Sequence, residues 1–408
     1  MTMRSVSCWV LLVLAGFVVP VQAEWIRHTI DQSSRGADGV RVMDINGDGL
    51  PDLVTGWEEG GQIRVATHPG TQLSKKAWPA VTVGQVKSPE DAVFVDLDRD
   101  GNVDVISCCE GKTRTVFVHW GSQDLSKWQT QSIPATEKVA MWMFAAPMDV
   151  DGENGTDLIV AAKGPRAKIG WLKSPRDARN LDDWKWQPLA DVGWVMSIET
   201  VDMDGDGDLD ILYSDRKSKT RGVHWLENET DPEKKDPEEK DTEKKNEPVQ
   251  AWRRHTVGGT DREVMFLALG DVNQDGLLDI ATTVKDGPIT WFERVDSSGR
   301  KWTLHEVDLP AGTGSGKGIA IADVDLDGKN DLVYTCEHAA KKIGAGWLSA
   351  GQSVQNRKWT PTDISGTEHG VKFDLIQMLD LDGDGDLDLV TCEERDNLGL
   401  IWYENPTK

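Results

Sequence analysis

Seven stretches of the 408-residue chain space carboxylates in the pattern D-x-[DN]-x-D-G-x-x-D or close to it, beginning at Asp44, Asp96, Asp149, Asp202, Asp271, Asp323 and Asp380. Oxygens at positions 1, 3, 5 and 9 of such a loop converge, because a glycine at position 6 lets the backbone turn sharply. Position 7 adds its backbone carbonyl. Hard oxygen donors at this density suit Ca²⁺ better than Mg²⁺, which gives up its waters reluctantly, or Zn²⁺, which prefers nitrogen and sulfur. The expected ligands are Asp44, Asn46, Asp48 and Asp52; Asp96, Asp98, Asp100 and Asp104; Asp149, Asp151 and Asp157; Asp202, Asp204, Asp206 and Asp210; Asp271, Asn273, Asp275 and Asp279; Asp323, Asp325, Asp327 and Asp331; and Asp380, Asp382, Asp384 and Asp388. A single such stretch could be a turn closed by side chain to backbone bonds. Six well-formed copies favour cations, because carboxylates packed this closely repel one another without a counterion. Up to seven structural ions are expected, with the one at 149–157 left open.

The loops recur every 52 to 57 residues, except for one gap of 69. Residues 229–249, ETDPEKKDPEEKDTEKKNEPV, account for that gap; charged and without hydrophobic periodicity, they read as a disordered surface insert. Each repeat carries four short β-type runs. One precedes the aspartates, as in VMFLALGD, and one follows, as in LDLVTC. A third has tryptophan near its end, at Trp120, Trp171, Trp225, Trp291, Trp347 and Trp402. A fourth opens with tryptophan, at Trp25, Trp78, Trp128, Trp184, Trp252, Trp302 and Trp359. Thirteen of eighteen tryptophans therefore occupy repeat positions, which marks them as packing residues between units. Four strands per unit and seven units predict an all-β, seven-bladed β-propeller over residues 24–408. The first strand has no blade before it and the last blade is one strand short, so the N-terminal strand is expected to complete the seventh blade and remove the open edge.

The stretches DINGDGLPDLVTG (44–56), DLDRDGNVDVIS (96–107), DMDGDGDLDILYS (202–214), DVNQDGLLDIATT (271–283), DVDLDGKNDLVYT (323–335) and DLDGDGDLDLVT (380–391) resemble the FG-GAP or VCBS repeats of integrin-type propellers. The resemblance covers nearly all of residues 24–408 and implies the fold and calcium loops, but no particular activity. Similar propellers occur in adhesion receptors, fungal lectins, polysaccharide-associated proteins and the N-terminal half of aldos-2-ulose dehydratase. The third repeat, DVDGENGTD (149–157), departs from the pattern, with Glu153 in place of Asp and Asn154 in place of Gly.

With strands labelled A to D outward from the axis, the Asp loops join A to B and share a face with the C–D loops. The B–C and D–A loops form the opposite face, where the blades differ from one another. Mixed charges and aromatics that differ from blade to blade are what a single central site would look like. Catalytic candidates there are Lys163, Arg216, Glu337 and His369. Ligand-binding candidates are Trp57, Glu110, Arg114, Trp142, Trp194, Asp215, Lys217, Arg262, Lys317, Lys372 and Glu393. Any one charged loop residue is more often simply solvated. GTGSGK (312–317) is no phosphate loop, lacking the following Ser/Thr and a helix. His28, His255 and His305 recur in D strands and read as structural.

A formal net charge of −24 argues against nucleic acid as a partner. Met1–Ala23 combines a basic start at Arg4, an apolar run from Trp9 to Val19 and a small-residue site at Ala23, which reads as a secretory signal peptide; an uncleaved anchor is the alternative. The protein is thus expected outside the cytoplasm, secreted or periplasmic, with no later membrane span. Cys108, Cys109, Cys336 and Cys392 are too few for a disulfide framework and show no zinc spacing. Three functions compete: recognition of a carbohydrate or extracellular protein, a sugar lyase or dehydratase using Lys, His or Glu as proton acceptor, and a purely structural module.

Overall fold

The computed structural model describes residues 24–229 and 252–408; the expected leader (1–23) and nearly all of the 229–249 insert lie outside the described residues. Seven four-stranded antiparallel sheets follow one another around an axis. Their innermost A strands are Ala37–Met43, Pro89–Val95, Met141–Met148, Val195–Val201, Val264–Gly270, Ser315–Ala322 and Phe373–Leu379, in blades 1 to 7. Ile26–Asp31 pairs antiparallel with Gly399–Glu404, placing Ile26 opposite Glu404 and His28 opposite Trp402. The N-terminal strand is therefore strand D of blade 7. This closure joins the two ends of the described chain and leaves the last blade no unpaired C strand.

The tryptophan repeat packs as its spacing demands. Trp120, Trp171, Trp225, Trp291 and Trp402 in the C strands are at most 2% exposed. Trp25, Trp78, Trp184 and Trp359, opening D strands, are also buried. The D-strand histidines lie flat against this framework: His255 stacks on Trp225 with ring centroids 4.3 Å apart, and His305 on Trp291 at 4.2 Å. Each is held from its other side by a C-strand glutamate, Glu227 or Glu293, and His28 meets Glu404 in the same way. All four described cysteines are free and buried.

One regularity is invisible in the sequence. Every A strand slips register against its B strand near its start, between Asp38 and Arg41, Pro89 and Asp91, Trp142 and Phe144, Val195 and Ser197, Val264 and Leu267, Gly316 and Ile319, and Phe373 and Ile376. A bulge breaks strict alternation and re-aims side chains. Here the bulges all lie at the B–C/D–A end of the inner strands, and they carry Glu90, Lys317 and Asp374.

Candidate functional site

The Asp loops share one construction. The position-9 carboxylate is fully buried and its Oδ2 accepts the backbone N–H of position 2 in all seven blades, from Asp52 with Ile45 (3.0 Å) to Asp388 with Leu381 (2.9 Å). In six loops the position-6 glycine, at φ between +82° and +96°, donates its N–H to Oδ2 of position 1. A side chain at that φ is strained, which explains the glycine. These bonds fold the loop so that carboxylate oxygens of Asp96, Asp98 and Asp104 lie within 4.8 Å of one another, as do those of Asp202, Asp204 and Asp206 and those of Asp323, Asp325 and Asp331.

The opposite end of the axis holds a belt of charges that crosses from blade to blade. Arg41 of blade 1 makes a paired contact with Asp91 of blade 2, at 3.3 and 3.2 Å. Lys163 of blade 3 reaches back to Glu90 (3.1 Å) and Glu110 of blade 2. Arg216 of blade 4 bonds Glu263 of blade 5 at 3.1 Å and lies 3.9 Å from Glu337 of blade 6. Lys317 of blade 6 is buried against Asp374 of blade 7. Asp374 in turn hydrogen-bonds Asp38 of blade 1. Below this belt, Phe144 and Phe266 meet edge to face at 5.9 Å, with Arg41 over one ring and Lys317 over the other.

Burial sets the protonation of the belt. It raises the Asp38 carboxyl well above the usual range, and the neighbouring Asp374 charge adds to the effect. Burial would also raise Asp374, but the Lys317 ammonium and the Asp38 hydrogen bond outweigh it and hold that carboxyl at about 2. Glu90 is pushed to about 7 by burial, against the pull of Lys163 and with the help of Glu110 and Glu58. Carbon-13 NMR titration of Glu90 should find its midpoint near 7, and Glu90→Gln should remove that step. A midpoint near the ordinary 4.5 would mean that the Lys163 ammonium outweighs burial.

Between blades 3 and 4 the belt passes through an indole. Lys163 Nζ, Arg216 Cζ and Lys217 Nζ lie 4.6, 4.8 and 4.8 Å from the Trp194 ring centroid. The backbone fixes this arrangement, since Trp194 bridges Lys163 and its carbonyl accepts the Arg216 N–H at 2.8 Å. Lys217 is exposed and, among the described residues, has no carboxylate within ion-pair distance. With cations already on its ring, Trp194 spaces charges and offers no open stacking face.

The FG-GAP-like repeat family matches residues 44–107 and 271–334, the loops and B strands of blades 1 and 2 and of blades 5 and 6. The protein is a seven-bladed β-propeller that carries FG-GAP-like repeats over these two stretches. Protein FAM234B of Gallus gallus is 24% identical over 164 residues, 38% of this chain, and the match spans only 26% of that relative's length. The crystal structure of BBS1N in complex with ARL6DN, soaked with mercury, superposes with a TM-score of 0.51 over 95% of this chain and 98% of that one; at 9% identity the likeness is one of fold.

The Asp loops fit a metal ion. Asp96 Oδ1, Asp204 Oδ1 and Asp323 Oδ1 are buried without a hydrogen-bond donor, each inside one of the acidic clusters, and a cation is what would satisfy them. On the other face of the propeller the candidates divide. Lys163, Glu110, Trp194, Arg216, Lys217 and Glu337 are brought together. His369 stands apart, 59% exposed, with Asp396 at 4.0 Å as its ion-pair neighbour among the described residues. Asp215 and Glu393 are wholly buried ends of B strands whose oxygens are taken up by backbone amides of neighbouring loops, Gly193 and Trp194 for one, Val371, Lys372, Asp396 and Leu398 for the other. Trp57 and Trp142 are core residues at 1% and 0% exposure. Arg262 is engaged by Asp261 and Glu306, Arg114 by the Val139 carbonyl, and Lys372 by Glu394. Lys317 lies within strand A of blade 6 and belongs to the belt. Sequence reasoning missed Asp38 and Asp374, and placed Glu90 and Asp91 in a D–A loop of this face without singling them out as site residues; all four sit at the bulges. The signal was a charged residue interrupting an inner-strand run. A separate recess of about 570 Å³, lined by Phe117, Thr130, Arg179 and Asp182 among others, lies at the outer strands between blades 2 and 3.

Proposed function

We propose that this is an exported, calcium-binding propeller that recognises a carbohydrate or protein ligand on the B–C/D–A face. The gathering of Lys163, Arg216 and Lys217 at Trp194 carries the reading. Structural ion pairs satisfy one another, as Arg41 and Asp91 do; Lys217 is exposed, lies over the Trp194 ring and meets no carboxylate among the described residues, which leaves its charge to a partner. Glu110, Glu263 and Glu337 around it supply acceptors, so donors and acceptors alternate over a short span, which suits a polyhydroxylated or mixed-charge surface. On the other face, orphaned carboxylate oxygens and a loop geometry built on positions 1, 3, 5 and 9 support Ca²⁺ in the well-formed loops, in a structural role. The residues that would hold it are those at these four positions, with the position-7 carbonyl. Export rests on the Met1–Ala23 pattern. No helix among the described residues is long and apolar enough to cross a membrane.

Screening the full chain on a glycan array and against extracellular protein fragments tests this. Lys217→Ala should weaken the binding found by about tenfold, roughly 1.4 kcal/mol, without moving the melting temperature. Binding untouched by Lys217→Ala and by Arg216→Ala would refute the placement of the site. A second reading, a lyase or dehydratase at the same face, is favoured by one observation: Glu90, held near 7 beside the Lys163 ammonium, has the character of a general acid or base. Turnover of an oligosaccharide in the same screen, abolished by Glu90→Gln, would select it over recognition.

A further inference from the structure

We propose that the third Asp loop, 149–157, takes no divalent cation because the chain supplies its own, the ammonium of Lys173. The inference rests on the calcium reading of the other loops and sets this one apart from them. The loop is built and acidic like the rest: Asp149, Asp151 and Asp157 bring oxygens within 4.8 Å, and Asp157 accepts the Val150 and Ser174 amides at 3.1 and 2.7 Å. What differs is the charge facing it. Lys173 Nζ contacts Asp151 Oδ2 and lies 3.1 Å from Glu153 Oε2.

Register makes this more than a surface lysine near an acidic patch. The strand pairing places one C-strand position opposite the position-9 aspartate of each loop. Extending the register by one residue, that position is Thr67, Trp120, Lys173, Glu227, Glu293, Ser349 and Glu404 in blades 1 to 7. Blade 3 alone has a cation there; three blades have a glutamate, which adds negative charge beside their loops. Other loops are also approached by cations, namely Arg179 at Asp98, Arg300 at Asp204 and Lys75 at Asp382. Those three come from C–D connections of the following blade and are 44 to 46% exposed, Arg300 and Lys75 being shared with Glu227 and Glu404, while Lys329 meets Asp327 from within its own loop. Lys173 is rooted in the sheet itself and is 26% exposed.

Two further features agree. The closing bond of the other six loops, from the position-6 amide to the position-1 carboxylate, is absent from the third; Asn154 occupies the position at φ +61°, and the next amide, of Gly155, turns to the Glu153 carbonyl at 2.8 Å. A second cation covers the position-7 backbone: a Cβ built on Gly155 would fall 2.2 Å from the Arg99 guanidinium. An incoming Ca²⁺ would meet two positive groups and a loop without its clasp. The Lys173 ammonium neutralises the carboxylates instead, with no metal needed.

The test compares hydrogen exchange of the full chain in Ca²⁺ and in EDTA, with bound calcium counted by elemental analysis after dialysis. Residues 149–157 should exchange equally in both, while 202–210 and 380–388 gain protection in Ca²⁺. The variant Lys173→Glu with Glu153→Asp and Asn154→Gly, which restores the pattern of blades 4 and 7, should bind one more ion per chain and make 149–157 calcium-dependent. Calcium-dependent protection of 149–157 in the unmodified chain, or a variant that gains no ion, would overturn the proposal alone. Indifference of all seven loops would overturn it together with the calcium reading.

Discussion

Chelation should lower the melting temperature of the propeller by on the order of 10 °C or more, because several ions are lost at once and each stabilises by about 2.7 kcal/mol when free calcium is a hundredfold above its dissociation constant. The loops explain why so much depends on the ion. Position-9 carboxylates are buried at the base of each blade, and burial, only partly offset by two backbone amides, pushes Asp104, Asp210 and Asp388 up to about 7. Neighbouring ladder aspartates push the same way. Without a cation these groups favour the protonated form, so the stability they contribute is present in acid and is lost as pH rises through about 7. The chelated protein should accordingly melt higher at pH 5.5 than at pH 8. The calcium-loaded protein should reverse that order, since protons then compete with the metal. Differential scanning calorimetry at both pH values, with and without EDTA, checks the pair of effects. A melt unmoved by EDTA, with no calcium in elemental analysis, would refute the metal reading.

Lys317→Met should destabilise the protein by about 3–5 kcal/mol, the usual result of removing one partner of a buried ion pair. Lys317 is 4% exposed and Asp374 is fully buried, so water cannot replace the lost ammonium. Asp374, held at about 2 in the native protein, contributes stability that is present above the ordinary carboxylate range and lost as pH falls through about 2. In Lys317→Met that contribution disappears at neutral pH, with Asp38 left hydrogen-bonded to an uncompensated charge. Adding Asp374→Leu should recover much of the loss, because a buried pair replaced by apolar groups is often near neutral. Urea unfolding of the single and double variants measures both. A single variant costing less than about 1 kcal/mol would show that water or a rearranged Arg41 reaches the axis.

The propeller was legible from the sequence because its signals are local and repeated. The Asp loop needs a glycine at one φ, the tryptophans fill equivalent gaps between blades, and the phase of the strands at the two ends foretold that Ile26–Asp31 would close blade 7. The placement of the Asp loops on one face followed from the same repeat. The opposite face was legible only in outline. Lys163, Arg216 and Glu337 could be assigned to it by counting strands, and they do come together. Their partners could not be assigned, because which way Glu90, Lys317 and Asp374 point depends on a bulge in each inner strand, and strict alternation predicts the wrong direction after a slip of one residue. The same limit explains Asp215 and Glu393. Both stand where loop residues were expected, yet each ends a buried B strand and serves to anchor the backbone of adjacent loops.

Local chemistry also misled where a residue type carried more than one role. Trp57 and Trp142 fall outside the tryptophan repeat, which suggested ligand contact, but both fill core space, with the Trp142 indole N–H donated to the Thr136 carbonyl at 3.0 Å. Trp194 is the exception among them, half-buried and surrounded by cations, and its value is in the spacing it imposes on Lys163, Arg216 and Lys217.

The face of the propeller that meets its ligand is the B–C/D–A face in the function proposed. Hydroxyl-radical footprinting of the full chain with the strongest binder from the array decides it most directly. Protection at Trp194 and at the segments around Lys163, Lys217 and Glu337, with the Asp loops unchanged, is the predicted result. Protection confined to the Asp loops or to the outer strands would contradict it.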